Sequence, residues 1–160
     1  MKLSKNFSLA EFTKSQAALR LGLDNSPSPQ DIEALEKLCI NVLQPVRDYF
    51  GPVVITSGYR SKTLNEAIGG AATSQHCYGQ AADFECPGNS NYDVAAWISK
   101  NLPFDQLILE FYDPDNPSGG WVHVSYNEKG SNRKQVLTYD GKKFENGLPD
   151  MKWKDGKVQS

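Results

Sequence analysis

Ser74-Gln75-His76-Cys77-Tyr78-Gly79-Gln80-Ala81-Ala82-Asp83 and Trp121-Val122-His123-Val124-Ser125-Tyr126 are the two segments around which this chain is organised. Between them they hold both of its histidines, and each reads as an apolar, strand-like run. A histidine and an aspartate seven residues apart, joined by a distant histidine on a strand, offer three ligands to one metal ion. Three protein ligands and one open position is the arrangement of a catalytic zinc site, whereas a structural site takes four ligands, usually with closely spaced cysteines. Cys39, Cys77 and Cys86 lack that spacing. A lone carboxylate inside Ala81-Ala82-Asp83-Phe84 is costly in an apolar sheet unless it is paired or metal-bound. Gly79 allows a tight approach or an unusual backbone angle between the two ligands, and Ser74 can cap or orient the histidine loop.

Outward from these segments, strand patterns recur at Val53–Ser57, Ala81–Phe84, Gln106–Phe111 and Trp121–Tyr126. On the last of these, Trp121, His123 and Ser125 share one face and Val122, Val124 and Tyr126 the other. The third and fourth strands are expected to be antiparallel neighbours, and Val136–Tyr139 with Asp140-Gly141 suggests another hairpin. Ser28 as N-cap and Pro29 in the first turn start the main core helix, whose apolar positions Ile32, Leu35, Leu38, Cys39, Val42, Leu43 and Val46 carry it to about Phe50. Pro45 is a candidate kink. Ser8 and Glu11 form a capping box for a short turn, and Tyr92–Asn101 reads as a further helix. The sum is an α+β chain, one domain over residues 1–160, with a small, mostly antiparallel sheet packed with helices. The motif-bearing core runs from about 7 to 126, followed by a basic extension over 127–160.

The 160 residues suffice for one real core, and 22% charged with 39% apolar residues is ordinary for a globular protein. A formal net charge of -2 gives no global reason to expect nucleic acid. Charge is uneven, however: Lys129–Lys157 carries eight lysines and arginines against four acids, a composition that suits a solvated surface or attraction to an anionic envelope. No apolar run reaches the roughly 18 residues of a membrane span, and the first residues lack the apolar stretch of a signal peptide. Synthesis in a reducing cytoplasm and a monomeric state are the expectations, the former supported by three cysteines that make no even disulfide framework.

Glu110 ends the apolar run Leu107-Ile108-Leu109 on the strand expected beside that of His123, so it is the candidate general base. Arg60, in Ser57-Gly58-Tyr59-Arg60-Ser61, suits capture of a carboxylate or stabilisation of an oxyanion; its competing role is a salt bridge to Asp83 or Glu85. Cys77, next to His76, offers the alternative of a cysteine nucleophile.

The full pattern Ser74, His76, Gly79, Ala81, Asp83, the Ser57–Ser61 element with Leu64-Asn65 and Gly69-Gly70, and Trp121-Val122-His123-Val124-Ser125 resemble the zinc D-alanyl-D-alanine peptidase family, especially its short phage-associated members, over about Phe7 to Tyr126. The resemblance implies a fold shared with the hedgehog signalling domain and one zinc ion held by His76, Asp83 and His123. It also implies Glu110 as base and Arg60, Ser74, Tyr59 and Trp121 facing substrate. Many members carry Glu-x-Trp-His or His-x-His before the last ligand; here Gly120 and Trp121 stand at those positions, and Glu110 lies upstream on the neighbouring strand, as in the hedgehog domain. The implied activity is hydrolysis of peptidoglycan stem peptides, as a D-Ala-D-Ala carboxypeptidase or an endopeptidase. The implied setting is a bacteriophage endolysin or virion-borne lysin, made in the host cytoplasm and acting in the periplasm or wall. The alternatives are a non-catalytic zinc-containing wall-binding module of the same fold and a cysteine peptidase using Cys77.

Overall fold

The structure is a computed structural model that describes residues 1–113, 115–116 and 119–149, together with the backbone of the strand residues 153–154 and 157–158. A short hairpin, β1 (Lys2–Ser4) and β2 (Phe7–Ser8), leads into α1 (Leu9–Thr13), which the Ser8–Glu11 capping box starts as the sequence suggests. A second short helix, α2 (Gln16–Leu21), ends at Gly22 and was not evident from periodicity. The long core helix is α3 (Pro29–Leu38), a π-helical turn (Cys39–Leu43) and α4 (Gln44–Phe50). Pro45 explains the π turn. Its ring would crowd the carbonyl four residues back, and the wider turn, in which the Gln44 N–H reaches the Cys39 carbonyl, relieves that crowding without ending the helix.

The next elements are β3 (Val54–Ser57), α5 (Lys62–Ala67), a 3₁₀ turn (Gln75–Tyr78), β4 (Ala81–Glu85), α6 (Asn91–Asn101), β5 (Gln106–Glu110), β6 (Trp121–Ser125), β7 (Gln135–Tyr139), β8 (Phe144–Asn146), β9 (Trp153–Lys154) and β10 (Lys157–Val158). The main sheet runs β3-β4-β6-β5-β7-β10-β9, with β8 on β7. Its pairings are antiparallel, including the expected β5–β6 and β7–β8 pairs, except that β7 lies parallel to β5. The α+β class and mostly antiparallel sheet therefore stand.

Period-two alternation gives the sheet two different faces. Ala82 and Phe84 on β4, Leu107 and Leu109 on β5, and Val122 and Val124 on β6 are fully buried. They join Leu35, Leu38, Val42, Leu43 and Val46 from the long helix and Val94 and Ile98 from α6 in one core. Each large side chain buried there contributes roughly 1.5–3 kcal/mol. The residues between them, Ala81 and Asp83, Ile108 and Glu110, Trp121 and His123, face the other way.

Residues beyond the motif-bearing core of about 7–126 continue the same sheet and core among the described residues. β7 is an internal strand of the main sheet, Val136 is fully buried, and Leu148 packs into the same core. Within the basic segment Lys129–Lys157, Lys142 and Lys143 sit on the exposed β7–β8 turn, with Lys143 paired to Glu145; Lys152 and the side chain of Lys154 lie outside the described residues. Among the described residues, no helix is long and apolar enough to cross a membrane.

Candidate active site

Sheet register brings the first two candidate ligands together. Asp83 on β4 stands directly opposite His123 on β6, and the His123 Nδ1 lies 2.9 Å from an Asp83 carboxylate oxygen. His76 arrives from the other side, on the 3₁₀ turn and not on a strand, contrary to the strand-like character of its sequence. Two local signals make that turn. The Ser74 hydroxyl accepts the His76 backbone N–H at its start, and Gly79 ends it at φ 70°. A Cβ at Gly79 would also run into the Asp31 carbonyl, so glycine is required there twice over.

The His76 ring is buried, and its Nδ1 lies 2.7 Å from the Gly58 carbonyl. That acceptor keeps the proton on Nδ1 and leaves Nε2 as a lone-pair donor, 3.5 Å from the same Asp83 oxygen. Ligand atoms of all three residues lie within 4.8 Å of one another. Atoms held at about 2.0–2.1 Å by a tetrahedral ion stand about 3.3 Å apart, so these side chains need only small rotations to share one cation. Two imidazole nitrogens and a carboxylate form a donor set that suits zinc. Burial depresses the basicity of His76 and so favours the neutral, ligating ring. For Asp83, burial alone would raise the carboxyl, but its interactions with the two histidines, the His123 hydrogen bond first, outweigh it and hold the group below the usual carboxylate range.

These three residues sit on the wall of a cleft of about 690 Å³, a size that admits a short peptide, which also takes in Arg60, Ser74, Glu110 and Trp121. Glu110 pairs with Trp121 across β5 and β6, and the indole N–H donates to its carboxylate at 2.7 Å. Gly120, at φ 73°, brings the chain against the Glu110 and Phe111 carbonyls so closely that a Cβ would collide with both, which closes the β5–β6 connection onto this pair. Burial, reinforced by the Asp83 carboxylate, raises the Glu110 carboxyl above its ordinary value. A raised carboxyl beside candidate ligands is the state wanted of a proton acceptor.

The Arg60 salt bridges considered from sequence are absent: among the described residues no carboxylate lies within bridging distance of its guanidinium, and its buried Nε has no hydrogen-bond partner. Its backbone N–H instead bonds the His76 carbonyl, seating the Ser57–Ser61 loop against the histidine turn.

Two candidates are not brought to this cleft. Tyr59 is buried in the core, its hydroxyl made less acidic by burial and by the nearby Asp31, and it borders a different recess. Cys77 is buried with its thiol pushed up by desolvation, and it lines a separate recess with Lys62 and Asn65. A thiol so placed is held in its protonated form and opens to a different recess from the paired histidines. The sequence reasoning also missed residues of the cleft, chiefly Gln75, Gln106 and Arg133.

Residues 5–125 match the family model described as Peptidase M15. The chain belongs to the peptidase M15 family. A curated relative, the zinc D-Ala-D-Ala carboxypeptidase of Streptomyces albus G, is 34% identical over 76 residues, which cover 46% of this chain and 29% of that protein. The matched region thus spans under a third of the relative's length. The M15 match encloses β2 through β6 and every candidate residue named above from Arg60 to His123. Arg133, which also lines the cleft, and β7 lie beyond it.

Proposed function

We propose that this M15 chain is a zinc metallopeptidase that hydrolyses peptide bonds in bacterial peptidoglycan stem peptides, as an endolysin or other wall-degrading enzyme. The observation that carries the proposal is the convergence of His76, Asp83 and His123 on one point of a cleft that also holds an oriented carboxylate, Glu110, and a guanidinium, Arg60, that no carboxylate bridges among the described residues. Membership of a peptidase family and likeness to a protein named as a zinc carboxypeptidase support the choice of metal and substrate.

In this account His76 Nε2, the Asp83 carboxylate and the His123 Nδ1 hold one zinc ion. Bound there, zinc supplies Lewis acidity for activating water and polarising the scissile carbonyl. Glu110 takes the proton of the attacking water and returns it to the leaving amine nitrogen. Trp121 aims that carboxylate by occupying one of its oxygens, which leaves the other for proton transfer. Arg60, on the cleft wall, offers its guanidinium to the oxyanion or to a substrate carboxylate. Ser74 acts on the turn that carries His76, through its cap, more than on substrate.

Metal content and hydrolysis test the proposal together. Protein purified without chelator is expected to hold one zinc per chain, and His123→Ala to lose both metal and the release of amino groups from purified peptidoglycan. Full hydrolysis by metal-free protein would overturn it, and zinc uptake without any hydrolysis would favour a wall-binding module of the same fold.

A further inference from the structure

Opposite Arg60, the cleft wall is formed by a second arginine whose position is over-determined. Arg133 donates to Asp105 in a fork, Nε to one carboxylate oxygen at 3.0 Å and a terminal nitrogen to the other at 2.9 Å. Its own backbone N–H adds a third bond to Asp105. Lys134 and Gln135 then bond the carbonyls of Phe104 and Asp105, so three successive residues are pinned to the entry of β5. The chain reaches this arrangement through a left-handed backbone at Lys134, φ 54°, a conformation that non-glycine residues adopt only at a cost. Asp105 is itself buried and receives a fourth bond from Gln75, the residue before His76.

The fork uses two of the five guanidinium donors, and among the described residues the remaining three have no protein partner. The side chain is half exposed and lines the same cleft as the candidate ligands. An arginine needed only to satisfy Asp105 would not have to face the cleft. Here the buried carboxylate fixes the plane of the guanidinium and leaves its outer edge for a second anion.

Spacing limits what that anion can be. Asp105 precedes Ile108, the β5 residue paired with His123, by three positions, about 10 Å along a strand. That is the length of about three residues of extended peptide. Arg60, which bonds the His76 carbonyl, lies on the β3 side of the ligands, and Arg133 on the β5–β7 side. We propose that Arg133, presented by Asp105, is a specificity-determining residue that recognises a carboxylate within the substrate chain, so that the cleft takes acidic peptides with an anion up to three residues from the scissile bond. The inference rests on the peptidase reading, and in a stem peptide the matching group is the free α-carboxyl of D-glutamate.

The test is the binding, by calorimetry, of a stem pentapeptide with that α-carboxyl free and of the same peptide with it amidated, to zinc-loaded protein carrying Glu110→Gln. The free acid is expected to bind about tenfold more tightly, the scale of one charge-assisted hydrogen-bonded contact at a half-exposed site. The ratio should fall to about one in the added Arg133→Gln variant. It should do the same in Arg133→Gln with Asp105→Asn, which removes both partners and leaves no buried charge unpaired. Arg133→Lys, a cation without the fork, should keep only part of it. A ratio near one in the parent protein, or a ratio that survives the double substitution, overturns the inference. Hydrolysis by the wild type is scored separately: cleavage with no acid preference refutes only the role of Arg133, and acid-selective binding without cleavage refutes only the peptidase reading.

Discussion

Replacing Trp121 with phenylalanine separates the orientation of Glu110 from everything else in the cleft. Phenylalanine keeps an aromatic ring against Phe111, whose centroid is 5.1 Å from that of the indole, but removes the N–H that reaches the Glu110 carboxylate at 2.7 Å. A hydrogen bond to a charged group is worth about 1.5–3 kcal/mol. If that bond holds the carboxylate in line for proton transfer, its loss translates at about 1.4 kcal/mol per decade into roughly 10- to 100-fold in kcat. The pH profile gives an independent sign. The indole N–H favours the ionised carboxylate, opposing the effects of burial and Asp83 that raise Glu110. Removing it must raise the Glu110 carboxyl further, and the acid limb of kcat/KM, which requires the ionised base, moves to higher pH. Hydrolysis of a defined stem peptide across pH measures both effects, with a thermal melt to establish that the variant is folded. A folded Trp121→Phe enzyme with unchanged kcat and an unmoved acid limb would refute the role given to this pair.

Glu110→Ala should retain zinc in elemental analysis while losing on the order of 10²-fold or more in rate, because a base that is not a ligand leaves the metal in place. Gly79→Ala should cost more than about 2 kcal/mol, since alanine must take φ 70° and its Cβ meets the Asp31 carbonyl; a lowered Tm is the readout. Asp105→Asn should destabilise the fold by about 1–3 kcal/mol at neutral pH, measured by denaturant unfolding. Because the partners of Asp105 lower its carboxyl in the folded state, that contribution is fully present above the unfolded value of about 4 and is lost as pH falls through the lower folded value, so wild type and variant should converge in acid.

The sequence was most readable where one residue's neighbours decide its state. Ser8 with Glu11, Ser28 before Pro29, and the alternation along Trp121–Ser125 name a cap or a face from a few positions, and the structure has them as read. Pro45 announced a distortion, but whether a helix answers proline with a kink or a π turn depends on its packing. His76 looked strand-like because Cys77 and Tyr78 follow it; the Ser74 cap and the left-handed Gly79 decide for a turn, and both residues were in plain view. Alternation shows which way a strand faces but not which strand lies beside it, so the parallel seat of β7 on β5 could not be read. Arg133 was hidden for a related reason: it sits in the polar run Ser131-Asn132-Arg133-Lys134, and its partner Asp105 is 28 residues away.

The central claim, that His76, Asp83 and His123 hold a zinc ion on which peptide hydrolysis depends, is tested most directly by release of amino groups from purified peptidoglycan, followed through chelation and stepwise return of zinc. Hydrolysis should vanish with the metal and recover fully at one equivalent per chain. Hydrolysis that persists after the metal is removed, or zinc-saturated protein that releases no amino groups, would contradict the account.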